Sequence, residues 1–141
     1  MSDGTYAGEM TPKETWKALA DEPAAMLIDV RSGAEWTFVG TADLSSLGKE
    51  PILVPWQVFP GMDQNPEFAA AIGDSGVAMD APLYFMCRSG ARSLKAAIAL
   101  TAAGYTRCYN VTSGFEGDTD DSHHRGTTNG WKADGLAWVQ R

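Results

Sequence analysis

The sequence predicts an α/β fold, a mainly parallel sheet with helices on both faces, and three observations predict it. Short apolar runs at 25–30, 52–54, 82–86 and 108–111 have the length and composition of buried strands. Segments with helical start signals or helical periodicity lie between them, so helix and strand alternate along the chain. The 141 residues are 44% hydrophobic and 21% charged, which suits a single globular domain with a substantial core. No internal repeat and no second domain is evident.

Residues 1–10 carry little signal and are expected to be partly frayed. Thr11-Pro12-Lys13-Glu14 opens a helix, with Thr11 as N-cap, Pro12 in the first turn and Glu14 placed to close a capping box. That helix is predicted through Trp16 and Leu19 to Asp21-Glu22-Pro23. After the strand at 25–30, Ser32-Gly33-Ala34-Glu35 repeats the capping signature ahead of Trp36 and Phe38. Residues 40–51 read as a polar loop, 52–54 as a strand broken by Pro55, and 56–62 as irregular. Asn65-Pro66-Glu67 starts a helix through Phe68 and Ile72, with Gly73 as its stop. The run at 82–86 leads through a loop to a helix from Leu94, where Leu94, Ala97, Ile98 and Ala102 share one face and Gly104 closes it. A last strand at 108–111 turns at Thr112-Ser113-Gly114. The core is thus placed at about 11–138, with 117–130 as a polar loop insertion and 131–138 folding back as a short helix or turn.

Charge and cysteine usage narrow the function. Eleven basic against eighteen acidic residues give a formal net charge of −7, which disfavours nucleic acid and anionic membranes as partners. No apolar run approaches the ~18 residues of a membrane span. Two cysteines, Cys87 and Cys108, are too few for a secreted disulfide scaffold, and no signal segment opens the chain, so a reduced cytoplasm is expected.

The chemistry concentrates in Cys87-Arg88-Ser89-Gly90-Ala91-Arg92-Ser93, at the end of a predicted strand and the start of a predicted helix. Such a site lies beyond the carboxyl ends of the strands, where ligands bind in parallel sheets. Loop and first-turn N–H groups have no intrahelical acceptor and can point at an anion beside the sulfur. Two arginines add positive charge, and such surroundings favour the thiolate. Cys87 therefore reads as a nucleophile rather than a small core hydrophobe, whereas Cys108, inside a strand, reads as core. Asp29 and Arg31 read as structural, bracing the loop or pairing with neighbours such as Glu35. His123 and His124 beside Asp118, Asp120 and Asp121 raise the possibility of a metal. Adjacent histidines cannot easily face one ion, so a solvated loop is preferred and no metal is expected.

Several motifs together resemble the single-domain rhodaneses, the thiosulfate-type sulfurtransferases. They are Asp29-Val30-Arg31 with Glu35-Trp36, Cys87 through Ser93, Gly104-Tyr105, Tyr109-Asn110-Val111, Gly114-Phe115-Glu116 and Gly130-Trp131-Lys132. They span most of the chain in the family's order. One departure is Ser113, which stands where the family pattern has the first of two glycines.

The resemblance implies a rhodanese-like, five-stranded mainly parallel sheet flanked by helices, with Cys87 as the sulfur acceptor and 88–92 as the loop around it. It implies a sulfurtransferase that needs no cofactor. The Cys87 thiolate attacks the outer sulfur of thiosulfate or a similar small anionic donor, releases sulfite, and passes the sulfur to a small thiol, a protein thiol or, in an assay, cyanide. Arg88, Ser89, Gly90, Ala91, Arg92 and Ser93 are the substrate-binding candidates, with Arg88 and Arg92 for the donor's charge. One alternative is a persulfide carrier in a protein relay. A phosphatase or arsenate reductase is a second, but loops of that kind are one residue longer between Cys and Arg. Here Ser93, not an arginine, takes that place.

Overall fold

The computed structural model describes residues 5–58, 61 and 63–140. A short strand, β1 (Gly8–Met10), leads into α1 (Pro12–Asp21). Thr11 caps α1 as expected: its hydroxyl accepts the Glu14 N–H while the Glu14 carboxylate accepts the Thr11 N–H. β2 (Met26–Asp29) and α2 (Gly33–Phe38) follow, and Ser32 and Glu35 repeat the device at the start of α2. Next come β3 (Thr41–Ala42), a 3-10 turn at Ser45–Leu47, β4 (Ile52–Leu53), β5 (Gln57–Val58), β6 (Asp63–Gln64) and α3 (Phe68–Asp74). β7 (Leu83–Met86), α4 (Ala91–Ala102), β8 (Cys108–Val111) and β9 (Trp138–Val139) complete the order.

Five strands form one sheet in the order β1-β8-β7-β2-β4, and every neighbouring pair is parallel. Alternation of side chains along each strand divides the interior into two cores. Ile28, Leu83, Phe85 and Cys108 face one side, against Phe68 and Ile72 of α3 and Ala96, Ala97 and Leu100 of α4. Leu27, Tyr84, Met86 and Val111 face the other, against Leu19 of α1 and the later Phe115 and Trp131. β7 lies in the middle of the sheet and is buried at all four residues. Period-two parity then puts Cys87, just beyond β7, on the α4 side, and Asn110 of β8 on the same side.

Several local expectations are revised. Residues 8–10 form the fifth strand of the sheet rather than a frayed tail, and the ladder to β8 holds them (Ala7 N–H to Cys108 O, 2.8 Å; Thr112 N–H to Met10 O, 2.8 Å). The stretch 40–51 is not all loop, because β3 pairs antiparallel with β9. Residues 131–138 fold back through turns, one of the two expected forms, and end in β9, which was not expected. β5 pairs with β6 inside the stretch read as irregular, of which Phe59, Pro60 and Met62 lie outside the described residues. Gly73 does not stop α3, which continues to Asp74 and is capped at Ser75. α4 begins at Ala91, ahead of Leu94, because its first turn is built from loop residues rather than core residues. Among the described residues, no helix is long and apolar enough to cross a membrane.

Candidate active site

Cys87 lies where the central strand meets α4, and its side chain is only 1% exposed. The sulfur has two polar neighbours. The Gly90 N–H donates to Sγ at 3.1 Å, and the Ser93 hydroxyl oxygen lies 3.2 Å from it. Of the loop and first-turn amides expected to face the sulfur, Gly90 is the one whose bond is formed. Gly90 achieves this as the N-cap of α4 with φ +113°, a conformation that favours a residue without Cβ.

The loop backbone is held from outside. Phe115 N–H donates to the Cys87 carbonyl (2.8 Å), and the Glu116 and Gly117 N–H groups both donate to the Arg88 carbonyl (3.0 Å each). Asn110 Nδ2–H donates to the Gly90 carbonyl (3.2 Å) and to Glu9 Oε1 (3.2 Å). The close approach of the two loops explains Gly114: a Cβ there would collide with the Cys87 carbonyl oxygen and lie 2.7 Å from the Arg88 carbonyl carbon. Ser113, in the place of a glycine, takes φ 59°, the same left-handed region a glycine would use.

Asn110 also fixes the Ser93 hydroxyl. Asn110 Oδ1 lies 2.6 Å from Ser93 Oγ, and the amide donors of Asn110 are used elsewhere. Ser93 has one hydroxyl hydrogen and cannot give it to both neighbours. Turning about the Cβ–Oγ bond directs that hydrogen either to Asn110 Oδ1 or to the Cys87 sulfur, both within hydrogen-bond distance. Sequence reasoning missed Asn110 as a site residue. No local signal marks it: Asn110 reaches the site through the β7–β8 register, in which it pairs with Phe85, two residues before Cys87.

The two arginines of the loop are in different situations. Arg92 makes a bidentate ion pair with Glu35 (Nη1–Oε1 2.7 Å, Nη2–Oε2 2.9 Å), joining the first turn of α4 to that of α2. Burial alone would push the Glu35 carboxyl up, but the Arg92 hydrogen bond and charge, with the Ser32 N–H and hydroxyl, outweigh it and hold the group at about 2. Arg88 is exposed, and among the described residues its guanidinium has no hydrogen-bond or ion-pair partner.

Asp29 and Arg31 are fully buried and pair with each other, not with Glu35. Arg31 Nη2 donates to Asp29 Oδ2 (2.7 Å) and to the Gly40 carbonyl (2.7 Å), and its guanidinium lies 4.2 Å from the centre of the Phe115 ring. The pair thus supports Phe115, whose N–H holds the Cys87 carbonyl. Cys108 is fully buried with its thiol pushed up by burial, as a core cysteine is.

A cleft of about 470 Å³ lies beside the loop, lined by Glu35, Arg88, Arg92, Glu116, Arg125 and Gln57. Glu116 and Arg125 were not among the predicted site residues. Arg125 comes from the segment read as an insertion, closed at its base where the Asp118 N–H donates to Asn129 Oδ1 (2.8 Å) and Asn129 Nδ2–H donates to Asp118 Oδ2 (3.0 Å). Asp120 accepts from Ser122 N–H, His124 N–H and Thr127 Oγ1, so it organises the turn there, while His123 and His124 are exposed. A larger depression of about 950 Å³ sits at the opposite, amino-terminal ends of β2 and β4, away from the Cys87 loop.

The model of the Rhodanese-like domain family matches residues 11–121. An uncharacterized protein of Rickettsia conorii is 35% identical over 125 residues, covering 89% of this chain and 91% of its own. A crystal structure from M. tuberculosis superposes with a TM-score of 0.88 at 46% identity, covering 97% of this chain and all of the other. The polysulfide-sulfur transferase homodimer of Wolinella succinogenes (TM-score 0.63, 20% identity, 99% and 82% covered) shares the fold.

Proposed function

The chain belongs to the rhodanese-like domain family, and from that premise we propose that it is a sulfurtransferase working through a persulfide on Cys87. The observation that carries the proposal is the pairing of that sulfur with a helix-start N–H and a hydroxyl at the carboxyl edge of the central strand. In the first half-reaction the Cys87 thiolate attacks the outer sulfur of thiosulfate. The new bond joins Sγ to that sulfur, the old sulfur–sulfur bond breaks with its electron pair leaving on sulfite, and Cys87 is left as a persulfide anion. In the second, a small or protein thiol, or cyanide in an assay, attacks the outer sulfur and regenerates the thiolate. The Gly90 N–H and Ser93 hydroxyl supply hydrogen bonds to the anion, and a reduced cytoplasm would keep the Cys87 thiol available for the reaction.

The geometry also supports sulfur transfer over phosphoryl chemistry. Arg92, at the helix end of the loop, gives its guanidinium to Glu35 rather than turning it over the loop. Intact mass after brief incubation with thiosulfate tests the reading. A gain of one sulfur atom is expected in the wild type and none in Cys87→Ser. A wild-type mass that stays unchanged with thiosulfate and with organic persulfides, or a gain that survives Cys87→Ser, would overturn it.

A further inference from the structure

The segment 117–130 has no part in the mechanism above, yet it delivers a cation to the cleft that Arg88 and Arg92 of the Cys87 loop line. Arg125 Nη1 donates to the Gly117 carbonyl at 2.6 Å, which anchors the guanidinium and leaves its other donors available. Gly126 N–H donates to the Glu116 carbonyl (2.8 Å), and Glu116 N–H to the Arg88 carbonyl (3.0 Å), so one chain of backbone bonds links this segment to the Cys87 loop. The charges lining the cleft divide unequally. Arg92 and Glu35 neutralise each other. Arg88 and Arg125 remain as cations without a carboxylate partner, and the Glu116 carboxylate remains without a hydrogen-bond donor among the described residues. Lys132 lies in the field of Glu116 but gives its ammonium to the Val39 carbonyl (2.9 Å). Two available cations on a chain of net charge −7 are a local concentration of positive charge, and the single carboxylate beside them makes the lining two-signed. The volume, about 470 Å³, is of the size that accommodates organic ligands.

We propose that this cleft binds an organic sulfur donor of amino-acid type, with its carboxylate held by Arg88 and Arg125 and its ammonium by Glu116. The segment 117–130 then sets donor specificity. The inference rests on the sulfurtransferase reading and deepens it by naming the donor class. With a hydropersulfide donor R–S–SH, the Cys87 thiolate forms a bond to the terminal sulfur, the donor's sulfur–sulfur bond breaks, and its electron pair leaves on the thiolate R–S⁻. The proton stays on the transferred sulfur.

Persulfides of cysteine, 3-mercaptopropionate and 2-mercaptoethanol, which carry both charges, the carboxylate alone and neither, test the assignment by the rate of Cys87 loading. Arg125→Gln is expected to raise KM for the two carboxylated donors about tenfold, the scale of losing a hydrogen bond to a charged group. It should leave the neutral donor within about twofold on the same scale, and Arg125→Lys should recover part of the loss. Glu116→Gln should raise KM for the cysteine persulfide alone. Arg125→Gln acting equally on all three donors, or on none, would overturn the subsite while leaving sulfur transfer standing. A wild-type chain that takes sulfur from thiosulfate but from none of these persulfides would overturn the donor assignment alone, and one that takes it from neither would overturn both.

Discussion

The reactive atom is nearly closed to solvent, so two hydrogen-bonding groups govern its behaviour in place of bulk water. Gly90 contributes a backbone donor that mutation cannot easily remove, whereas Ser93 contributes a side chain that it can. A hydrogen bond to a charged group contributes about 1.5–3 kcal/mol. Ser93→Ala is therefore expected to slow alkylation of Cys87 by iodoacetamide at neutral pH about tenfold or more, with the fold intact by circular dichroism. An unchanged rate would show that the hydroxyl does not serve the sulfur. Ser93 was legible in the sequence because it belongs to the local motif. Asn110 was not, since an asparagine in a short strand carries no sign of its purpose until the β7–β8 register brings it beside the loop. The Asp29–Arg31 pair was legible in principle, because residues two apart on a strand share a face.

At the scale of elements, the Arg92–Glu35 pair fastens two helix starts that follow adjacent parallel strands. Strand direction makes this possible: helices leaving neighbouring parallel strands begin at the same edge of the sheet. Glu35 falls from an ordinary value of 4.5 to about 2 in the folded chain. A carboxyl with a depressed folded pKa contributes stability that is fully present above its unfolded value and is lost as pH falls through the folded one. The window is thus pH 4.5 down to about 2. After allowance for partial solvent screening, the contribution is about 1–2 kcal/mol. Urea unfolding across this range should show the wild type losing that much more stability than Glu35→Gln, and parallel curves would count against the pair as the cause. The capping boxes at Thr11 and Ser32 were legible because every partner lies within three residues.

At the scale of the molecule, the core extends beyond the family match, which ends at residue 121. Trp131 is fully buried, donates its ring N–H to the Ala137 carbonyl (2.8 Å) and its backbone N–H to the Gly114 carbonyl (2.8 Å), and sits edge-on to Trp16. It therefore ties the C-terminal segment to the turn that presses on the Cys87 loop. Trp131→Ala is expected to cost about 3–5 kcal/mol, the usual scale for deleting a buried large aromatic side chain. A chain truncated after residue 121 should fail to unfold cooperatively in a thermal melt. A truncated chain with a full cooperative transition would show that the fold does not depend on this segment.

The sequence by itself determined the parallel α/β architecture, the entry of the first two helices and the strand–cysteine–loop–helix unit. Each of these is written in residues a few positions apart, where spacing alone dictates backbone geometry. Tertiary structure decided the strand at Gly8–Met10, the β3–β9 clasp, the partner of Arg92 and the arrival of Arg125 at the cleft. The physical reason is separation along the chain. Glu35 meets Arg92 across 57 positions and Glu9 meets Asn110 across 101, and such meetings follow only from the order in which the strands assemble.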